Sequence, residues 1–163
     1  MIATRPARAE DHAAIAGLLV AAFASPAEAA LVAHLRSDRV TVAEVVVTSG
    51  GQIVSHALCS WMQAPQGWVA LAPVATQPGR QGQGFGSLAV RGVLDAARAA
   101  GARAAVVLGA PEFYGRFGFS GAQASGLRSP YPIGFTAVHD FGLALTESER
   151  GAELIYPAAF RQI

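Results

Sequence analysis

The stretch VATQPGRQGQGFGSLAVRGVL, residues 74–94, sets Gly82, Gly84 and Gly86 two apart between an apolar run and a segment of helical periodicity. Downstream, Leu88, Val90, Val93, Leu94 and Ala97 share one helix face, and Gly101 falls where a left-handed C-terminal cap belongs. Upstream, Trp68 to Thr76 reads as a strand following the Pro65-Gln66-Gly67 turn. Bare backbone at a strand-to-helix junction serves a nucleotide, a coenzyme or a simple turn. A Walker A loop is excluded, because Phe85-Gly86 stand where Lys and Ser/Thr are required and the chain contains no lysine. A dinucleotide fingerprint is half satisfied by Gly84-Phe85-Gly86-Ser87-Leu88-Ala89, but the segment from Thr76 to Gly84, with Pro78 inside it, is too long for the tight turn that fingerprint needs.

Working outward, residues 2 to 5 suit a short opening strand, and a helix is expected over about residues 10 to 23 from Ile15, Leu18, Leu19 and Phe23. Ser25-Pro26-Ala27-Glu28 reads as a capping box opening a second helix through Leu31, Val32 and Leu35. Val42 to Thr48 and Ile53 to Trp61 are strands joined at Ser49-Gly50-Gly51-Gln52, which with Trp68 to Thr76 make an antiparallel meander. Ala104 to Leu108 is apolar throughout, as a strand buried on both faces is. Pro111 opens a brief helix ending at Gly118, and Phe119 starts an extended segment. Residues 120 to 135 read as a long loop before a last strand near Ala137 to Leu145, and the tail from Thr146 is apolar enough to pack back. The fold class is therefore α+β: a mixed, mostly antiparallel central sheet flanked by helices, expected as one domain over residues 1–163.

A net charge of +1 with interspersed signs argues against nucleic acid as a partner. Cys59 is the only cysteine and sits in an apolar run, which fits a buried thiol in a reducing compartment. Residues 13 to 24 resemble a signal-peptide core, but Glu10 and Asp11 precede them and the run is shorter than the ~20 apolar residues of a membrane span. They read as an amphipathic helix of a cytoplasmic protein. Cys59 and the histidines lack the spacing of a metal site, so no metal is expected.

Gln81-Gly82-Gln83-Gly84-Phe85-Gly86 resembles the Q/R-x-x-G-x-G/A segment of the GCN5-related N-acetyltransferase family, and Tyr114-Gly115-Arg116-Phe117-Gly118-Phe119 resembles its second marker, Y-x-x-x-G-F. Two ordered markers on the expected elements are more specific than either alone. The run VVLGAPEFYGRFGF most resembles a bacterial branch of that family whose acceptor is poorly defined. The resemblance implies the acyl-CoA N-acyltransferase fold and direct acetyl transfer from acetyl-CoA to an amine of a small molecule or protein, through a ternary complex. It implies that Gly82, Gly84, Phe85, Gly86 and Ser87 cradle a pyrophosphate with their backbone, that the side chains of Gln81 and Gln83 either assist or face solvent, and that Val74, Ala75 and Thr76 pair with the pantetheine, the Val74 N–H polarising the acetyl carbonyl. It assigns the acid that protonates the leaving thiolate to Tyr114. A phenol of pKa about 10 facing a thiol of about 8.5 is mismatched by only ~2 kcal/mol, a gap that the local environment could close.

The base is less distinct. Some relatives carry a carboxylate where this chain has Ala70, leaving Glu28, His56, Glu112, Asp140 or a water chain as candidates. Homodimers are frequent in the family, and the residues do not decide that point. A non-catalytic acyl-CoA sensor and a nucleotide-dependent oxidoreductase remain as rival readings.

Overall fold

The computed structural model describes residues 1–162. Six strands form one sheet in sequence order, β1 (Ile2–Pro6), β2 (Thr41–Ser49), β3 (Gln52–Trp61), β4 (Trp68–Thr76), β5 (Ala104–Leu108) and β6 (Thr136–His139). All neighbours are antiparallel except β4 and β5. That arrangement removes the dinucleotide reading, which requires a doubly wound parallel sheet. The parallel pair needs a crossover, and α3 (Phe85–Ala99) supplies it.

Alternation along the strands feeds two cores. Val46, Leu58, Trp68, Ala70 and Val106 pack under α1 (His12–Phe23) and α2 (Ala27–Ser37), whose Ile15, Leu18, Leu19, Leu31, Val32 and Leu35 are buried. Val45, Cys59, Val69, Leu71, Ala105 and Val107 pack under α3 through Phe85, Ala89, Val90, Val93, Leu94 and Ala97. Both faces of the central strands are thus covered, which is why β4 and β5 carry almost no polar residues.

Three local expectations are corrected. The Ser25–Glu28 capping box does not form: Pro26 is the N-cap without a side-chain bond, and the Ser25 hydroxyl instead accepts from the Ala27 N–H at 3.1 Å. Residues 120 to 135 contain a short helix, α5 (Gly121–Ala124), capped by Ser120, and Phe119 belongs to no strand, although Ser120 bridges to Val138 and the Phe119 ring lies 5.6 Å from that of His139 in β6. The last strand ends at His139, because Phe141 and Gly142 turn the chain with positive φ of 54° and 78°. The tail does pack back. Glu149, in α6 (Glu147–Arg150), accepts from the Trp68 indole at 2.8 Å and from Arg103 at 3.0 and 3.2 Å, while Leu154, Tyr156 and Phe160 join the core beneath α1 and α2.

Candidate active site

β4 changes character along its length. Trp68, Val69 and Ala70 pair with Ala104, Ala105 and Val106, after which β5 leaves and Leu71 to Thr76 have no partner on that side. On the other edge, the β3 register slips between Ala57, opposite Val74, and Cys59, opposite Leu71, so that Ala72 and Pro73 together face Leu58. Pro73 has no N–H to offer a ladder, and the irregularity falls where that donor is missing. The two strands therefore diverge, and the opening between them ends at the first turn of α3.

The glycine segment fills that end. Gly79, Gly82 and Gly84 have φ of 84°, 77° and 86°, a region that costs other residues free energy, and Gly84 is the N-cap of α3. A Cβ on Gly84 would meet no atom within 4 Å, so its requirement for glycine is conformational; one on Gly86 would lie 3.2 Å from the Thr76 hydroxyl, so there the requirement is close packing of helix on strand. The loop is tied down at its base by Gln77 N–H to the Val54 carbonyl at 2.8 Å and by Arg80, which reaches Ser49 and lies 5.3 Å from the Phe85 ring centroid. Past that base, the amides of residues 81 to 87 donate to no acceptor among the described residues; the first such bond of the helix is Leu88 N–H to the Gly84 carbonyl at 3.1 Å. Free amides and the positive end of a helix dipole converge on one spot.

Val74, Ala75, Thr76, Gln81, Gly82, Gly84, Phe85, Gly86 and Ser87 line a single cavity of about 490 Å³ together with Phe113, Tyr114 and Arg116. Gln83 is exposed and lies outside it. Tyr114 sits on α4 (Pro111–Gly115), its ring edge-on to Phe113 at 4.9 Å and to Phe119 at 5.8 Å. Burial raises the phenol above its ordinary value, so the surroundings widen the gap to a thiol instead of closing it, and the group keeps its proton through neutral pH.

Two residues of this cavity region escaped the sequence reading. Arg116 lies over Phe113 at 4.8 Å, pairs with no carboxylate among the described residues and adds a cation to the cavity wall; it occupies an unspecified position of the Y-x-x-x-G-F marker. Gly109 is the floor for Tyr114: a Cβ there would stand 2.5 Å from the ring. Nothing in the sequence marks a glycine whose neighbour is a side chain rather than a turn.

The remaining candidates separate cleanly. Glu112 is exposed, and Asp140 is spent on the Gln123 amide at 3.1 Å and the Gly142 N–H at 2.9 Å. Glu28, freed from capping, keeps one carboxylate oxygen buried without a partner among the described residues. His56 is fully buried and bonded to Glu44. Cys59 is equally buried, and desolvation pushes its thiol up to about 12, which makes it a poor nucleophile at neutral pH.

The profile of the acetyltransferase (GNAT) family matches residues 14–119, a span that includes the glycine segment and Tyr114. The chain belongs to the GNAT acetyltransferase family. Among its relatives, an uncharacterized N-acetyltransferase of Escherichia coli K12, YhbS, is 37% identical over 127 residues, 75% of each chain. The crystal structure of E. coli YhbS in complex with CoA superposes with a TM-score of 0.86 at 30% identity, covering 98% of this chain and 92% of that one. A Brucella melitensis GNAT acetyltransferase in complex with acetyl-CoA gives 0.82 at 30% identity, covering 98% of both chains. The family expected from the two markers, and the branch expected from VVLGAPEFYGRFGF, are the ones found. No helix of the described residues of this GNAT chain is long and apolar enough to cross a membrane.

Proposed function

We propose that this chain transfers an acetyl group from acetyl-CoA directly to an amine, with the coenzyme's pyrophosphate on the amides of Gly82 to Ser87 and its thioester beside Val74. The observation that carries the reading is that one cavity joins the unpaired amides at the start of α3, the diverging half of β4 and the Tyr114 phenol. The CoA and acetyl-CoA bound by the two similar structures support it.

In the reaction, the amine nitrogen attacks the thioester carbonyl carbon, the Val74 N–H stabilises the developing oxyanion, and the carbon–sulfur bond breaks as Tyr114 protonates the sulfur. The tyrosine regains its proton from the former amine nitrogen, so product amide and free thiol balance the substrates. Donor and acceptor occupy the protein together, and no residue becomes acylated. Arg116 adds positive charge to the wall that receives the coenzyme's phosphates. Loop residues Arg128 and Tyr131 line a separate cavity of about 700 Å³ with the tail, so the part of the 120–135 loop that borders the acetyl site is its end, where the Phe135 carbonyl accepts from Gly109 N–H at 3.0 Å.

A free-thiol release screen with acetyl-CoA over an amine panel tests the reading. Thiol release that requires both substrates, with Tyr114→Phe lowering kcat by about 10²-fold or more and leaving coenzyme affinity nearly intact, is expected. Coenzyme binding without thiol release from any amine would indicate an acyl-CoA sensor instead.

A further inference from the structure

Glu44 and His56 face the α1–α2 layer from neighbouring strands. The His56 ring is buried completely; its Nε2 lies 2.8 Å from a Glu44 oxygen, and Arg36 of α2 holds the same carboxylate at 2.6 and 3.1 Å. The other ring nitrogen, Nδ1, is buried with no partner among the described residues. A buried nitrogen left without a bond is unfavourable and calls for an explanation in water or chemistry. The cross-strand partner of His56 is Ala75, which lines the coenzyme cavity. Side chains directly opposite in an antiparallel pair are about 5 Å apart at Cβ, and a methyl group is the least obstruction that a side chain can present between ring and cavity.

We propose that His56, oriented by Glu44, takes the proton that an acceptor ammonium must lose before attack, through a water molecule beside Ala75. The proposal rests on the acetyl-transfer reading above. His56 and Arg36 hold the Glu44 carboxyl down at about 2, against the desolvation that opposes ionisation, so Glu44 is an anion at neutral pH and accepts from Nε2–H. The Nδ1 lone pair is thereby left free, and an imidazolium formed there has a counter-ion already in place. An alkylammonium has a pKa of about 10 and is protonated near neutrality, so one proton must go to a base before the nitrogen can bond to the thioester carbon. His56 takes that first proton and releases it to solvent after the product leaves; the second passes to sulfur through Tyr114. The other elements packed on His56 supply little competing charge. β4 has no titratable side chain, α1 has only His12 at its start, and α2 contributes Arg36, with Glu28 and His34 elsewhere on the helix.

The test is the pH profile of kcat/KM for an amine found active in the thiol-release screen. His56→Gln keeps a donor for Glu44 but cannot titrate; it should lower kcat/KM by about 10²-fold near neutral pH and regain most of that as pH rises into the amine's own range. Coenzyme affinity by calorimetry should stay within about threefold of the parent. Glu44→Gln, which removes the charge that supports the protonated ring, should move the acid limb to lower pH and lower the plateau. A fall independent of pH in His56→Gln, or an unchanged profile, would overturn the proposal, as would a limb that survives His56→Gln but is lost in Glu28→Gln. If the parent chain binds coenzyme but acetylates no amine, both readings fall; if it turns over and only the profile is unmoved, this one falls alone.

Discussion

The two halves of β4 share a strand and little else. Trp68 to Ala70 are paired on both edges, and Trp68 is locked from outside by Glu149, itself held by Arg103. From Leu71 to Thr76 the β5 edge is open, the β3 register is irregular and the strand runs into a loop in which the amides of residues 81 to 87 have no acceptor among the described residues. The closed half resembles ordinary core: its polar groups are satisfied, and its burial stabilises. The open half leaves hydrogen-bonding capacity unused, which is unfavourable for folding alone and which the proposed function assigns to the amides and phosphates of the coenzyme.

Gly84→Val should break the open half most severely. It forces a β-branched side chain to a φ of 86° and disorganises the turn that presents the amides, so coenzyme affinity measured by calorimetry should fall by about 10²-fold or more while the closed half keeps the protein folded. Unchanged affinity would detach the loop from coenzyme binding. Gly109→Ala should act next. Its Cβ would push the Tyr114 ring, and because a misplacement of about 1 Å can cost ~10²-fold in rate, turnover should drop by about 10- to 100-fold with coenzyme affinity little affected. Turnover equal to the parent would mean that the ring position is not critical.

The smallest effect belongs to the salt-bridged carboxylates away from the open edge. Glu44 and Glu149 are both lowered from 4.5 to about 2, Glu149 chiefly by its Arg103 bonds and Glu44 by His56 and Arg36 against its desolvation. A depressed folded-state pKa gives stability that is complete above the unfolded value and lost as pH falls through the folded one. The melting temperature should therefore be flat above about pH 5 and decline between about 4.5 and about 2. Replacing Glu149 by Gln should flatten part of that decline without altering coenzyme affinity at neutral pH; an undiminished decline would place the acid sensitivity elsewhere.

Much of this contrast was legible before any coordinates. The apolar runs, the Gly50-Gly51 turn and the helical spacing after Gly86 are local signals, and the elements they predict formed within a few residues of where they were expected. The glycine segment and Tyr114 stand out through two short markers, and one cavity brings them together. What the chain did not reveal depends on contacts between distant residues. Glu28 carries the right spacing for a capping box, but Pro26 took the cap position. Gly109 matters only because Tyr114 folds onto it, and the Glu44–His56–Arg36 cluster joins three elements with no shared pattern. Phe141 adopts positive φ without being glycine, so the early end of β6 had no compositional sign.

Backbone amide NMR during a titration with CoA tests the central claim most directly, since it reads the groups said to hold the ligand. The account predicts saturable shifts concentrated at Gly82 to Ser87 and Val74 to Thr76, with Trp68 to Ala70 nearly still. Shifts confined to other regions, such as the cavity between Arg128 and Arg161, with residues 82 to 87 unmoved at saturation, would contradict it.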